Sequence, residues 1–341
     1  MSAPVMVRAA DMAGTRRMLR VVDVLGEMFV DLAAGRTRSP ARTVLEHGDR
    51  RVLLVSPAVW EQRAVGSVKV TTLTPDNPVR GLPLIHGIVA LTDLETGQIT
   101  ALLDGAELTA VRTGAVAALA TRWCTADDAD ELAVIGAGVQ AHALVRAVTA
   151  VRPIRHIRLH SRTRARAEKL AGLIRGTAPG TVRVTVCDTA REAVTDAAII
   201  CTATSTDART PVVRADWVTP GAHVNVIGGT HPDAVELAPA LLADAVTVVE
   251  DRTAALDGAG EIRAALADGL IKAADLYELG SLVSGAVDVT GRTTVLRTVG
   301  MAIEDTAAAV ALFEEHRTAE QGTGGPTAVS PTEEEVPDGH A

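Results

Sequence analysis

Short hydrophobic runs separated by polar breaks fill the first hundred residues. A helical spacing of apolar residues covers residues 11–34. The strand-like runs that follow begin at Arg42, Arg51, Ser67, Leu84 and Gln98. Glycine, proline, aspartate or asparagine bounds each run, and this pattern predicts a mainly antiparallel sheet. After Asp104 the spacing becomes helical again.

From Glu131 onward, strand-like runs alternate with helical ones. The strand-like runs are ELAVIG, HIRLH, TVRVTV, AIICTAT, AHVNVIG and VTVVED. This alternation predicts an α/β fold with a doubly wound parallel sheet and crossover helices. Thr189 and Glu192 have the spacing of a capping box, which places a helix start after the third of these strands. The run from Gly300 predicts a final helix that packs back on the N-terminal region.

Composition and charge favour a small-molecule protein. The chain has 341 residues, 47% hydrophobic and 22% charged, with 2% aromatic residues and a net charge of −9. Nucleic-acid binding needs a clustered basic surface, which this balance does not provide. Three cysteines without metal-like spacing, no signal-peptide core and no membrane-length apolar run predict a cytoplasmic protein with reduced thiols, no metal and no membrane partner. The acidic residues after Arg317 predict a disordered tail.

A glycine motif follows the first strand of the second half. Gly136, Gly138 and Ala141 form Gly-x-Gly-x-x-Ala around Val139 and Gln140, at the start of a predicted helix. The first glycine allows a tight turn, the second lets the backbone approach a pyrophosphate, and the small third residue lets helix and strand pack closely. In this strand–turn–helix context the motif predicts a Rossmann dinucleotide site.

The end of the next strand bears on the choice of cofactor. NAD sites usually carry an acidic residue there, about 20 residues beyond the glycines, to hold the ribose hydroxyls. Here the stretch contains Ser161, Arg162 and Thr163, with no acid before Glu168. These side chains could hold a 2′-phosphate, so the sequence favours NADP over NAD, although a solvated start to a helix gives the same pattern.

The spacing alone leaves the roles of three basic residues open. Arg112 lies in an apolar helix, where a buried charge needs either an ion-pair partner or an anionic ligand. Lys69 shares a strand face with Ser67 and Thr71, and an exposed polar face is the simpler interpretation of that pattern. The sequence around Arg42 gives an even weaker indication of a functional role.

Taken together, the motifs resemble those of the ornithine cyclodeaminase/mu-crystallin family, from about Arg42 to Ala309. The matching stretches are SVKV around Lys69, ALLDGAELTAVRTGA around Arg112, VIGAGVQA, HSRT, GAHVNVIGG and VGMAIEDTAAA. Several ordered motifs over most of a chain are more specific than one glycine pattern. The HSRT stretch looks like the NADPH-using mu-crystallin branch.

The resemblance implies a homodimer of two-domain chains. Residues 1–113 and 300–317 would form a smaller α+β domain for substrate binding and dimerisation. Residues 114–299 would form the Rossmann NAD(P)-binding domain, and residues 318–341 the disordered tail.

The resemblance also implies the residues of the site. Positions matching Arg42, Lys69 and Arg112 line the pocket at the nicotinamide, and the two arginines suit a substrate α-carboxylate. The implied cofactor contacts are Gly138, Val139, Gln140, Ser161, Arg162, Thr163, Thr202, Ile227 and Val299, with His86 and Arg112 near the nicotinamide.

One position departs from the cyclodeaminase pattern. Cyclodeaminases have an aspartate after the strand-end Gly-Gly that handles protons on the substrate amine, and Thr230 stands there in this chain. A neutral hydroxyl is not a general base near pH 7 without help. His231 or Asp233 could substitute, but both are more simply loop residues. Mu-crystallin-like members also lack that aspartate and resemble ketimine reductases.

The resulting prediction is an NAD(P)H-dependent ketimine reductase that forms a proline- or pipecolate-type amino acid. Arg42 and Arg112 would clamp the carboxylate, and Lys69 would polarise or protonate the imine nitrogen. The main alternative is an ornithine or lysine cyclodeaminase that uses bound NAD catalytically. The third alternative is an alanine-type amino acid dehydrogenase, and the fourth is a non-catalytic NADPH-dependent ligand binder.

Overall fold

The computed structural model of the chain describes residues 3–48, 50–177, 182–205, 210–229 and 231–323. Over these residues the strands form two sheets, one mixed and one parallel, so the chain has an α/β fold.

The first sheet contains the strands of the N-terminal third. The elements are β1 (Val5–Val7), α1 (Thr15–Ala33), β2 (Thr37–Arg38), β3 (Thr43–His47), β4 (Arg51–Trp60), β5 (Val65–Leu73), β6 (Ile85–Asp93), β7 (Ile99–Asp104) and α2 (Gly105–Cys124). Within the described residues the strand order is β1-β7-β6-β5-β4-β2, and β3 also pairs with β4. Among the described strands of this sheet only β1 pairs in parallel, so the predicted, mainly antiparallel sheet is confirmed.

The two faces of this sheet differ in what covers them. On one face Ser67 is buried, and its hydroxyl hydrogen-bonds that of Thr306 at 2.8 Å. Lys69 is on the same face because side chains alternate along a strand. On the other face Leu45, Val68 and Ile88 are between 38% and 53% exposed. The face of β5 that carries Ser67 and Lys69 is therefore buried, and the interpretation of it as an exposed polar face is wrong.

The second sheet is parallel throughout the described residues. Its elements are β8 (Glu131–Ile135), α3 (Val139–Val151), β9 (His156–His160), α4 (Arg164–Thr177), β10 (Arg183–Val186), α5 (Ala190–Val194), β11 (Ile199–Thr202), β12 (His223–Val226), β13 (Val246–Val249), α6 (Arg252–Gly258), α7 (Gly260–Ala267), β14 (Leu276–Glu278), α8 (Leu279–Val283), β15 (Thr294–Arg297) and α9 (Ala302–Thr323). The strand order is β10-β9-β8-β11-β12-β15-β13-β14. The chain order reverses between β8 and β11, and such a switch point is where open α/β sheets bind ligands.

Both faces of the parallel sheet are covered. Leu132 and Val134 of β8 belong to one hydrophobic cluster, and Ala133 and Ile135 belong to another. Burial on both faces explains why the strands are continuously apolar. All six predicted strands are confirmed, and so is the capping box, in which the Thr189 hydroxyl accepts from the Glu192 backbone N–H at 3.1 Å.

Helices α1, α2 and α9 lie between the two sheets and share one continuous core. Val89 and Leu103 of the first sheet belong to the same cluster as Leu132 and Val134 of the second. The predicted boundary between residues 113 and 114 falls inside α2, which is a single helix. The final helix ends at Thr323. It therefore includes the first six residues of the segment predicted to be disordered, and residues 324–341 lie outside the described residues.

The described helices are too short or too polar to cross a bilayer. The three cysteines are free thiols. Cys124 and Cys201 are buried, and desolvation raises the pKa of each thiol to about 12, so both are inert core residues.

Candidate active site

The carboxyl ends of five parallel strands meet at one edge of the second sheet. Thr202 pairs with both Ile135 and Val226, the last residues of β8 and β12. Ile135 also pairs with His160, and Val226 with Arg297, the last residues of β9 and β15. Apart from His86 and Arg112, the predicted cofactor residues lie at the ends of these strands or in the segments that follow them. Their shared register brings the loops that carry them to the same edge.

The glycine turn after β8 has the geometry of a pyrophosphate cradle. Gly136 has a φ of 125°, and a Cβ on it would lie 2.3 Å from the Ala203 carbonyl oxygen. Gly138 caps α3, and a Cβ there would meet no atom within 4 Å. Val139 is 71% exposed at the start of the helix, and the buried Gln140 Oε1 has no hydrogen-bond partner. An open helix N-terminus with an unsatisfied polar atom beside it fits a dinucleotide phosphate.

The next loop exposes polar side chains at the same edge. Arg162 and Thr163 are exposed after β9, and Ser161 is half-buried. The neighbouring Arg164 is paired with Glu168 at 2.9 Å and with Asp188. Arg162 makes no ion pair within the part of the chain that the structure describes. Its guanidinium is therefore available to an anionic group.

A buried carboxylate, Glu236, ties together the ends of β11 and β12. It accepts hydrogen bonds from the Thr202 hydroxyl at 2.7 Å, the Gly228 N–H at 2.7 Å and the Thr204 N–H at 2.6 Å. Desolvation raises its pKa, whereas the threonine hydrogen bonds act in the opposite direction. Arg297 supports the same loop by donating to the Gly228 carbonyl at 2.9 Å. These bonds fix the loop backbone at this edge of the sheet.

Four charged side chains form a buried cluster beside that edge. Lys69 Nζ lies 2.7 Å from Asp305 Oδ2 and 3.5 Å from the Thr109 hydroxyl. Arg112 donates from Nη1 to Glu304 Oε2 at 2.8 Å, and its Nε is 3.3 Å from Asp305 Oδ1. The Lys69 and Arg112 side chains are 13% and 10% exposed, and both carboxylates are at most 1% exposed. Helix α9 therefore supplies counter-ions to cations from β5 and α2.

Two features of this cluster suit it to proton donation and to binding an anion. Burial lowers the pKa of Lys69; Asp305 raises it and Arg112 lowers it. A lysine with a lowered pKa gives up its proton more readily than a solvent-exposed one. No hydrogen bond among the described residues uses Arg112 Nη2. This nitrogen is therefore free to bind a ligand.

Gly300 joins the cluster to the sheet edge. A Cβ on Gly300 would lie 3.0 Å from Arg112 Nη2 and 3.1 Å from Nη1. Gly300 and Val299 follow β15 directly, at the edge that carries the predicted cofactor loops. Gly300 therefore places the buried cations beside the sheet edge at which the glycine turn also lies.

Comparisons with known proteins identify the family of this chain. The model of the ornithine cyclodeaminase/mu-crystallin family matches residues 2–320. The chain belongs to this family. It is 36% identical to rat ketimine reductase mu-crystallin over 82% of this chain and 86% of that protein. It is 35% identical to a Delta(1)-pyrroline-2-carboxylate reductase of Bacillus cereus, over 90% of this chain and 94% of that protein.

A solved relative has the same fold. The Delta(1)-pyrroline-2-carboxylate reductase of Thermococcus litoralis, in complex with NADH and L-proline, superposes with a TM-score of 0.83 at 30% identity. The match covers 93% of this chain and 98% of that one. The predicted family is confirmed, and these relatives are reductases of the kind that the sequence predicted.

Not every predicted site residue of this family member joins the cluster. Arg42 is exposed just before β3 and makes no ion pair among the described residues. His86 is exposed on β6, opposite Thr72, and therefore lies on the other face of the sheet from Lys69. Within one chain the structure brings Lys69 and Arg112 together but not His86.

The loop after β12 is described only in part. Thr230 lies outside the described residues. His231 and Asp233 are exposed, and the Asp233 N–H donates to His231 Nδ1 at 3.2 Å. No cluster of histidine, cysteine and acidic residues within the described ranges could hold a metal ion.

Sequence reasoning missed the acidic half of the site. Glu304 and Asp305 lie in VGMAIEDTAAA, one of the stretches that resemble the family, but the resemblance implied no role for either residue. Glu236 had no local motif at all. The available signal was a pair of adjacent acids in the mostly apolar first half of α9, because buried carboxylates need buried partners.

Proposed function

We propose that the chain is an NAD(P)H-dependent ketimine reductase, and that its substrate is a small cyclic imine with an adjacent carboxylate. The single observation that carries the proposal is the buried pair of cations, Lys69 and Arg112, beside the nucleotide edge of the sheet. A cation that can donate a proton and a second cation with a free nitrogen are what an imino acid requires. The named activities of the similar reductases support the same assignment.

Each cation would have a distinct role. Arg112 would hold the carboxylate through Nη2, since Nη1 and Nε face Glu304 and Asp305. Lys69 would donate a proton to the imine nitrogen, with Asp305 fixing the position of Nζ. When bound, the reduced nicotinamide supplies a hydride.

Arg42 would contact the carboxylate from the opposite side. Thr43 pairs with Val55, and the next residue, Ser56, pairs with Lys69. Continuing this register by one residue brings Arg42 into line with Lys69, two strands and about 10 Å away. A small imino acid can span part of that gap.

The proposed function predicts the outcome of a direct assay. Purified protein with NADPH and pyrroline-2-carboxylate or piperideine-2-carboxylate should lose absorbance at the reduced-nicotinamide band. L-ornithine or L-lysine with NAD should release no ammonia, because Thr230 replaces the aspartate expected to handle the amine. Ammonia release without NADH build-up would identify a cyclodeaminase instead. Tight NADPH binding with no turnover of any imine would identify a ligand binder.

For the cofactor, we propose a preference for NADPH over NADH. The exposed, ion-pair-free Arg162 and its neighbours Ser161 and Thr163 support it, since they can donate to a 2′-phosphate. Val299 and Ile227, at the ends of β15 and β12, would line the nicotinamide end.

Replacing Arg162 with alanine should therefore raise the KM for NADPH and leave the KM for NADH nearly unchanged. A hydrogen bond to a charged group is worth about 1.5–3 kcal/mol, which corresponds to roughly 10- to 100-fold. Initial rates with each cofactor measure the effect. The matched control is Arg155→Ala, an 83% exposed arginine at the amino end of the same strand, which should change neither constant. An equal loss with both cofactors would contradict the assignment.

We further propose that the first sheet and α9 form the substrate-binding and dimerisation domain of a homodimer. The exposed apolar face with Leu45, Val68 and Ile88 supports this, because monomers rarely expose a large apolar patch. His86 lies on the same face. It would reach a cofactor from the dimer interface rather than from inside its own chain. The free thiols are in keeping with a cytoplasmic location.

A further inference from the structure

A buried arginine lies behind the edge of the second sheet, outside the cluster that holds Lys69. Arg297 ends β15 and is 2% exposed. Its Nη1 donates to the Gly228 carbonyl at 2.9 Å and to the Thr298 carbonyl at 2.8 Å, and its Nη2 donates to the Gly229 carbonyl at 2.8 Å. A guanidinium presents its donors in a fixed plane, so it can hold several acceptors at once. One side chain therefore joins the loop after β12 to the turn after β15.

The counter-ion of Arg297 closes a ring of contacts around the base of the loop after β12. Glu261, in the first turn of α7, is 1% exposed, and its Oε2 lies 3.0 Å from Arg297 Nε. Its Oε1 accepts from the Glu236 N–H at 2.7 Å, and the Glu236 carboxylate accepts from the Gly228 N–H at 2.7 Å. Both ends of the loop are therefore tied to one buried ion pair. We call Arg297, Glu261 and Glu236 the buried brace.

The turn after β15 extends these contacts to the substrate cation. Glu250, which follows β13, accepts from the Val299 N–H at 2.8 Å and from the Gly300 N–H at 2.9 Å. Gly300 in turn lies against Arg112, since a Cβ on it would be 3.0 Å from Nη2. A shift of this turn would press on the guanidinium or leave it unsupported. The place of Arg112 relative to the loop after β12 therefore depends on Arg297.

A second buried arginine has the same chemistry at the opposite edge of the sheet. Arg152 is 6% exposed and donates to the Arg122 carbonyl at 2.6 Å and to the Thr125 carbonyl at 3.0 Å. It joins the ends of α2 and α3, close to the amino end of β9. The loops at the carboxyl edge do not contact it through these bonds. Arg152 is therefore a matched control for an arginine that holds backbone carbonyls.

We propose that Arg297 is a positioning residue for hydride transfer, which fixes the two backbone segments at the nicotinamide end relative to Arg112. The inference rests on the proposed function for the identity of the substrate. In that reaction the imine carbon accepts a hydride and the nitrogen accepts a proton, so the imine is reduced to an amine and NADPH is oxidised to NADP⁺. Misplacing the reacting groups by about 1 Å can cost about 100-fold in rate.

A lysine at position 297 separates the charge from the bonds to the backbone. Arg297→Lys keeps a cation beside Glu261, but one ammonium group cannot reproduce a planar set of bonds to three carbonyls. We expect kcat for imine reduction to fall about tenfold or more. The dissociation constant of NADPH should stay within about threefold, because the glycine turn after β8 and the loop after β9 are not held by the brace.

The control variant Arg152→Lys should lose stability but keep its kcat per folded molecule. Thermal unfolding of each variant, measured in parallel, gives the folded fraction. A wild-type kcat in Arg297→Lys would overturn the proposal. So would an equal loss of kcat in both variants, because that is the result expected of a purely structural role.

A double variant removes the ion pair without leaving a buried charge unpaired. In Arg297→Met/Glu261→Gln the amide oxygen still accepts from the Glu236 N–H, and methionine donates nothing to the carbonyls. Replacing a buried ion pair by neutral groups is often tolerated, so this variant should fold. We expect its kcat to be at least as low as that of Arg297→Lys. A folded double variant with a wild-type kcat would overturn the proposal, and this variant decides the matter if Arg297→Lys does not fold.

The fluorescence lifetime of bound NADPH tests the positioning without any imine. A rigidly held nicotinamide has a longer lifetime than a loosely held one. At saturating NADPH, Arg297→Lys should therefore show a shorter lifetime than the wild type, and Arg152→Lys should not. Equal lifetimes in the wild type and Arg297→Lys would overturn the proposal even if the imine assay succeeds. A shortened lifetime in a protein that reduces no imine would sustain the positioning role and reject only the proposed substrate.

Discussion

Replacing Lys69 with methionine should lower kcat for imine reduction by about 10²- to 10⁴-fold, the range that general acid catalysis contributes. Methionine keeps most of the apolar stem but has no proton to give. The fold should survive, because Asp305 retains Arg112 as a counter-ion, with Nε 3.3 Å from its carboxylate. Binding of NADPH, followed by nicotinamide fluorescence, should change little. Steady-state rates with a cyclic imino acid measure the loss.

The pH dependence of the wild-type enzyme should have the same origin. The catalytic form of Lys69 is protonated, so the rate is highest below its pKa and falls as pH rises through it. Burial lowers this pKa below that of a free lysine, so the fall should begin at a lower pH than for an exposed amine. Lys69→Met should lack this limb of the profile.

The matched control for Lys69→Met is Lys169→Met. Lys169 is exposed on α4, so its loss should change neither rate nor profile. Full activity of Lys69→Met would exclude Lys69 as the proton donor. Loss of NADPH binding in that variant would mean that the lysine acts on the cofactor instead.

Replacing Gly136 with alanine should destabilise the fold by about 3 kcal/mol or more, in the upper part of the range for single substitutions. Its φ of 125° is outside the conformations that alanine adopts readily, and the new Cβ would lie 2.3 Å from the Ala203 carbonyl oxygen. That oxygen is backbone, held close because the Ala203 N–H donates to the Ile135 carbonyl at 2.8 Å. The ends of β8 and β11 would have to separate. Urea unfolding measures the loss.

Two other glycines distinguish strain from loss of binding. Gly138→Ala meets no atom within 4 Å and should fold normally, but its Cβ would stand where a pyrophosphate approaches and should weaken NADPH binding. Gly172→Ala, in α4 with the same open surroundings, should be neutral or slightly stabilising. If Gly136→Ala were as stable as Gly172→Ala, the close approach of β8 and β11 would be disproved.

The strands of the second sheet were predictable where burial leaves a continuous apolar run. All six runs from ELAVIG to VTVVED become strands of that sheet. Strands β14 and β15 were missed because LYE and TVLR are too short to show a period. Strand β15 also lies between β12 and β13, although it is the last strand in the chain. Such an insertion depends on the packing of whole strands and leaves no local pattern.

The sequence by itself determined local features of this protein: the glycine turn at Gly136 and the types of the two sheets. These depend on side-chain periods of 2 and 3.6 residues and on turn chemistry, which act over a few neighbours. Only the tertiary structure decided which charges meet. Arg112 and Glu304 are 192 residues apart in the chain. Lys69 reaches Asp305 because β5 packs against α9. Ion pairing acts between groups that folding brings within a few ångströms, so no local spacing in the sequence records it.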